Sequence, residues 1–77
     1  MKVEVELFAT LRKYGGGQEG VFPADLADGD RVLRVIELLG IPLEVERVIL
    51  VNGRPANLES VLNEGDKVVI FPPVAGG

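Results

Sequence analysis

One short segment constrains most of what this chain can fold into. Between Asp30 and Gly40 the residues Val32, Val35, Ile36 and Leu39 recur at i, i+3, i+4 and i+7, the spacing that lines one face of an α-helix. Leu33 and Leu38 widen that face, and Arg31, Arg34 and Glu37 fall on the opposite side. Asp30 is placed as the N-cap, Gly40 as the stop, and Pro42 keeps the helix from resuming. The rest of the chain is written in strand and turn patterns. A lone amphipathic helix must therefore bury its apolar stripe against a sheet.

The strands follow from period-two alternation. Lys2 to Phe8 sets Val3, Val5 and Leu7 against Lys2, Glu4 and Glu6, a half-buried strand. Ala9 to Tyr14 fits a helical turn or a loop, and Gly15-Gly16-Gly17 breaks the chain after it. Within Glu19 to Asp25, Val21-Phe22 offers a second strand, and Pro23, which has no amide to donate, sends it to an edge. Arg47 to Val51 is an aliphatic run suited to a buried strand, closed by the turn dipeptide Asn52-Gly53. Pro55 to Leu62 reads as an irregular connection with a helical turn. After the turn Glu64-Gly65-Asp66, Lys67 to Phe71 forms a last strand with Val68 and Ile70 facing one way, Val69 and Phe71 the other. The expected class is α+β: a mixed sheet of four to five strands with one main helix on one face. The domain spans residues 1–71 and an extended tail residues 72–77. Parallel pairing of the first and last strands needs a crossover, which the helix can supply.

Composition removes several functions. The 77 residues contain neither Cys nor His, so there is no thiolate nucleophile, no disulfide, and neither of the usual nitrogen and sulfur metal ligands. No convergent acid, base or metal set is visible, so an autonomous enzyme is not expected, and no metal or bound cofactor is expected either. Twelve acidic against eight basic residues give a net charge of −4, and the basic residues are scattered. Nucleic acid is therefore an unexpected partner. No apolar run approaches the length of a membrane span, and Met1 leads straight into the first strand without a leader pattern, so a soluble cytoplasmic protein is expected.

What chemistry remains lies at the end of the sequence. Pro72-Pro73 cannot continue a ladder and favours an extended course, while Val74-Ala75-Gly76-Gly77 presents little side-chain bulk. Fully extended, the residues after Phe71 span about 20 Å at roughly 3.3–3.6 Å per residue, enough to enter another protein's active site. Glycine at both last positions passes a slot that any Cβ would obstruct and leaves the carboxylate of Gly77 open. A carboxylate is a poor electrophile until it is activated, for example by adenylation with ATP. A sulfur nucleophile can then displace AMP and leave a thiocarboxylate able to deliver sulfur elsewhere. A chain without Cys or His suits this division of labour, because partners perform both steps. Terminal diglycine alone is weak evidence, since chain ends are often frayed. Its position directly after a strand and a diproline strengthens it.

Phe71-Pro72-Pro73-Val74-Ala75-Gly76-Gly77 resembles the terminal signature of the MoaD family, the small sulfur-carrier subunits of molybdopterin synthase within the MoaD/ThiS ubiquitin-like superfamily. Leu7-Phe8-Ala9-Thr10-Leu11-Arg12 resembles that family's first strand and following turn, and Val51-Asn52-Gly53 and Gly65-Asp66 are similar too. The resemblance implies a β-grasp fold. It also implies that an E1-like adenylating enzyme of the MoeB/ThiF type activates Gly77 with ATP, and that a sulfur donor converts it to a thiocarboxylate. The tail then enters a large subunit of the MoaE type, in a heterotetramer, where sulfur passes to the pterin precursor to form the dithiolene. Gly76 and Gly77 are carried over as the activated tail, and Phe8 and Phe71, with Pro72, Pro73, Val74 and Ala75, as the surface that meets the partner. Parity supports the aromatic pair: if Val5, Leu7, Val68 and Ile70 line the core, both rings share the outer face of the sheet. Arg12 and Lys67 can add polar contacts there.

Three other readings fit parts of the sequence. A ThiS-like carrier for thiazole synthesis or another thiolation pathway uses the same carboxylate with a different recipient. A protein modifier joins Gly77 to a lysine through an isopeptide bond. A plain interaction module gives the tail no role.

Overall fold

The computed structural model describes residues 1–73. Five strands form one mixed sheet: β1 (Lys2–Leu7), β2 (Val21–Asp25), β3 (Val48–Val51), β4 (Arg54–Ala56) and β5 (Lys67–Phe71). A 3-10 helix, Ala9–Gly15, follows β1, and α1 (Val32–Leu39) connects β2 to β3. The strand order is β2-β1-β5-β3-β4, with β1 and β5 parallel and every other pair antiparallel. This is the β-grasp arrangement, a sheet wrapped on one face around a single α-helix. The second strand lies at an edge, as Pro23 requires, and there Pro23 pairs with Glu4.

Alternation along the strands builds the core. Val3, Val5 and Leu7 of β1, Phe22 of β2, Ile49 of β3, and Val68 and Ile70 of β5 all face inward and are buried. Val32, Val35 and Ile36 of α1 meet them from above, and Leu11, Leu26, Ile41 and Leu62 close the sides. Full burial of one such aliphatic side chain contributes about 1.5–3 kcal/mol. The helical stripe is narrower than its sequence suggests, because Leu38 is 50% exposed.

The helix is capped differently from expectation. Its N-cap is Arg31, not Asp30, and no side chain caps it. The Asp30 carboxylate instead accepts the amide of Ala27, closing the preceding turn. The free amides of the first helical turn are taken by carbonyls of a distant loop: Val32 donates to Ser60 and Leu33 to Leu58, each at 3.0 Å. Sequence spacing points to a local side-chain cap and carries no sign of one supplied by a loop 25 and 28 residues further along the chain. At the other end Gly40 adopts the left-handed conformation, and its amide and that of Ile41 return to Glu37 and Ile36.

The segment Pro55 to Leu62 also departs from the sequence reading. Asn52 and Gly53 both have positive φ, 53° and 81°, which makes the tight turn of a hairpin and folds Arg54–Ala56 back onto β3 as β4. Pro55 is tolerated because β4 is an edge strand. The expected helical turn is replaced by a side-chain-braced turn, in which Asn57 Oδ1 accepts the Glu59 amide and Ser60 Oγ accepts the Asn57 amide. Asn52 also ties this hairpin to β5, its side chain bonding the Asp66 carboxylate and the Lys67 amide.

Candidate functional site

β5 is the central strand of the sheet, hydrogen-bonded to β1 on one side and β3 on the other. It ends at Phe71, and Pro72 and Pro73 follow outside any strand. With neither proline able to donate an amide, the ladder stops there and the chain is released at the C-terminal end of both parallel strands. Pro72 is half-buried and Pro73 exposed. The remaining candidates, Val74, Ala75, Gly76 and Gly77, lie outside the described residues.

Phe8 and Phe71 are neighbours across the parallel pair. The register runs from Glu4↔Lys67 to Leu7↔Ile70, and one step further the Phe8 amide bonds the Ile70 carbonyl at 3.1 Å. Phe8 retains extended backbone angles and is 37% exposed, while Phe71 is half-buried. Both carry the parity opposite to the buried Leu7 and Ile70, so both belong to the outer face, beside the point where the chain leaves the sheet. Immediately after Phe8, Ala9 turns into the left-handed region at φ 53°. A non-glycine residue there stores about 1–2 kcal/mol of strain, held next to the exposed ring.

The antiparallel register adds members that the sequence did not single out. Phe71 faces Val48 and Val69 faces Leu50, which in turn faces Pro55. Val48, Leu50 and Val69 are half-buried, so with Phe8 and Phe71 they form a continuous apolar patch on the outer face. In an all-aliphatic strand such as Val48–Val51, composition cannot say which residues face outward; the pairing with β5 decides it. Lys67 borders the patch, its Nζ 3.3 Å from Glu6 Oε1. Its expected polar role is thus filled within the chain, whereas Arg12 is exposed and forms no ion pair among the described residues.

Two concavities flank this end of the molecule. An open groove of about 590 Å³ runs beside Pro73, between the segment Leu43–Ile49 and the β4 side. Its wall is held by Arg47, whose guanidinium donates to the carbonyls of Leu43 and Val45 at 3.0 and 2.8 Å. A second hollow of about 470 Å³, walled by Leu7, Arg12, Lys13, Glu19 and Phe22, lies on the helix side of the sheet. Among the described residues no helix is long and apolar enough to cross a membrane.

Known proteins share this architecture. The ThiS family matches residues 5–77, which includes the diglycine. The chain is 36% identical to small archaeal modifier protein 3 of Haloferax volcanii, over the whole of both chains. It is also 36% identical to a molybdopterin synthase sulfur carrier subunit of Phaeosphaeria nodorum, over 57% of this chain and 46% of that one, so it spans about half of that relative. Among solved structures, a Pyrococcus furiosus protein assigned as molybdopterin converting factor, subunit 1, superposes with a TM-score of 0.78 at 34% identity, covering 96% of this chain and 99% of the other.

Proposed function

From the premise that this chain belongs to the ThiS family, and is a ubiquitin-like sulfur carrier or modifier of the ThiS/MoaD type, we propose that it is the sulfur-carrying small subunit of a molybdopterin synthase. The carrying observation is the release of a diproline from the central strand, beside an apolar patch containing Phe8 and Phe71, in a sequence that ends Gly76-Gly77. In this reading the patch docks a partner, and the tail beyond it reaches the partner's active site with its carboxylate leading.

The chemistry proceeds in three steps, each catalysed by another protein. An E1-like enzyme transfers AMP from ATP to the Gly77 carboxylate, and pyrophosphate leaves. A sulfur nucleophile attacks the acyl carbon, AMP departs, and the thiocarboxylate remains. In the large subunit the terminal sulfur attacks a side-chain carbon of the pterin precursor, a C–S bond forming as an oxygen substituent leaves that carbon, and hydrolysis of the resulting acyl thioester leaves the sulfur on the pterin and returns the free carboxylate. The chain contributes the acyl group, a tail narrow enough to thread a slot, and the docking face; it binds no cofactor of its own. The aromatic-diproline exit and the likeness to the Phaeosphaeria and Pyrococcus proteins favour the pterin over thiazole as recipient.

Incubation with ATP, an E1-like enzyme and sulfide is expected to raise the intact mass by the difference between a sulfur and an oxygen atom. An unchanged mass would overturn the carrier reading. Reconstitution with the large subunit and the pterin precursor should then yield the dithiolene, and deletion of Gly77 should abolish transfer with an unchanged unfolding midpoint. One observation supports a second reading: the likeness to the Haloferax modifier extends over both whole chains. As a modifier, the chain would pass its activated Gly77 to a lysine of another protein, and a protein-linked adduct formed without sulfide would favour that role.

A further inference from the structure

The pairing register carries one row of side chains across the outer face of all five strands. Val21 of β2 faces Glu6 of β1, Glu6 faces Val69 of β5, Val69 faces Leu50 of β3, and Leu50 faces Pro55 of β4. Directly paired residues point to the same side of a sheet, and Glu6 has the parity opposite to the buried Val5 and Leu7. Every member of the row except Glu6 is apolar. Phe8 is the next outward residue along β1, so with Val21 and Val69 on either side this carboxylate has apolar neighbours in three directions. The patch thus holds a charge within its margin.

Among the described residues, Glu6 is also the least exposed of the ion-paired carboxylates. Its side chain is 23% exposed, against 54–96% for Asp25, Asp28, Glu37 and Glu59. Lys67 stands directly opposite Glu4 in the register, yet its Nζ reaches diagonally to Glu6 Oε1 at 3.3 Å. No amide or side-chain hydrogen bond among the described residues is directed at the other oxygen, Oε2, which is left to solvent. A partner seated on the patch displaces that solvent. Apolar surface laid over Oε2 would strip it of donors and destabilise the complex, so the partner must replace them. The sign of the face favours a cation. Its charged strand residues are Glu4, Glu6 and Asp25 against Lys2 and Lys67, and Glu4 forms no ion pair among the described residues.

We propose that Glu6 is the selectivity residue of the docking face, meeting a cationic side chain that the partner protein presents from within an otherwise apolar surface. The proposal rests on the outer face being the docking surface and goes beyond it by fixing the partner's chemistry. In the complex Lys67 stays on Oε1, and a guanidinium or ammonium of the partner donates to Oε2 in a charge-assisted hydrogen bond. A protein whose surface fits the apolar patch but lacks the cation leaves Oε2 without a donor. The carboxylate therefore excludes surfaces that hydrophobic fit alone would admit.

The test measures binding of the full chain to the large synthase subunit of the same organism by calorimetry, at low and at high salt. Glu6→Gln should raise Kd about tenfold or more and flatten its salt dependence, because the partner's cation loses its counter-charge. Glu6→Leu, which extends the apolar surface, should weaken binding as well. The double variant Glu6→Gln, Lys67→Gln should stay weak, which separates loss of a partner contact from mere exposure of an unpaired Lys67. Glu37→Gln makes the same change of charge on the helix and should leave Kd unchanged, with the same circular dichroism spectrum for every variant. Binding by Glu6→Leu as tight as that of the unaltered chain, recovery in the double variant, or a weakened complex with undiminished salt dependence would overturn the proposal and leave the docking reading standing. No binding by the unaltered chain, or binding that Phe71→Ala does not weaken, would overturn the docking reading and the proposal with it.

Discussion

Ala9 combines an exposed side chain with a left-handed backbone, φ 53°, directly after the exposed Phe8. Its Cβ costs about 1–2 kcal/mol in that conformation. Glycine would remove this strain and lose about 0.5–1 kcal/mol through the greater freedom of its unfolded chain. The strain term is larger, so Ala9→Gly should raise the urea midpoint slightly. A fall in the midpoint would show that the Ala9 methyl contributes packing that its exposure does not reveal. Sequence reading found Phe8 and Phe71 because parity along a strand is a residue-scale property. It could not see the strain at Ala9, since alanine is not a residue that announces a positive φ.

α1 has eight residues, shorter than the length at which an isolated helix holds together in water. It depends on its packed face and on the loop that caps it. The carbonyls of Leu58 and Ser60 bind the first helical amides, and the Asn57 side chain braces that loop through the Glu59 amide at 2.8 Å. Asn57→Ala should therefore cost about 1 kcal/mol. Its signature should be local, with faster hydrogen exchange at Val32 and Leu33 than at Ile36. Equal acceleration along the whole helix would mean that packing alone sets its stability. The sequence read the helix and its glycine stop correctly and assigned the N-cap to Asp30, because side-chain caps are the start signals a sequence can display. β4 was missed for a related reason: Pro55 weighs against a strand until the Asn52-Gly53 hairpin places it on an edge.

At the scale of the molecule, the sheet has one face buried under α1 and an outer face on which the proposed docking rests. Ile36, 0% exposed, lies between α1 and the sheet, whereas Phe71 is half-buried on the outer side. Ile36→Ala should cost about 2–5 kcal/mol. That is a large share of the roughly 4–12 kcal/mol available to a domain of this size at about 0.05–0.15 kcal/mol per residue. Phe71→Ala should move the thermal midpoint much less and weaken binding to the large subunit, measured by calorimetry. If Phe71→Ala unfolds the domain as readily as Ile36→Ala, the outer face belongs to the core and the docking role fails.

By itself the sequence determined the helix, four strands, and the inward and outward sides of β1 and β5, and it displays the Gly76-Gly77 on which the proposed acyl chemistry rests. Each of these is written in local periodicity, turn residues or the absence of Cys and His, and none depends on distant parts of the chain. Only the tertiary structure decided that β5 is the central strand, that Val48 and Leu50 join Phe8 and Phe71 on one face, and that a loop near residue 60 caps the helix. Those facts arise from pairings between segments far apart in sequence, which side-chain patterns permit without specifying.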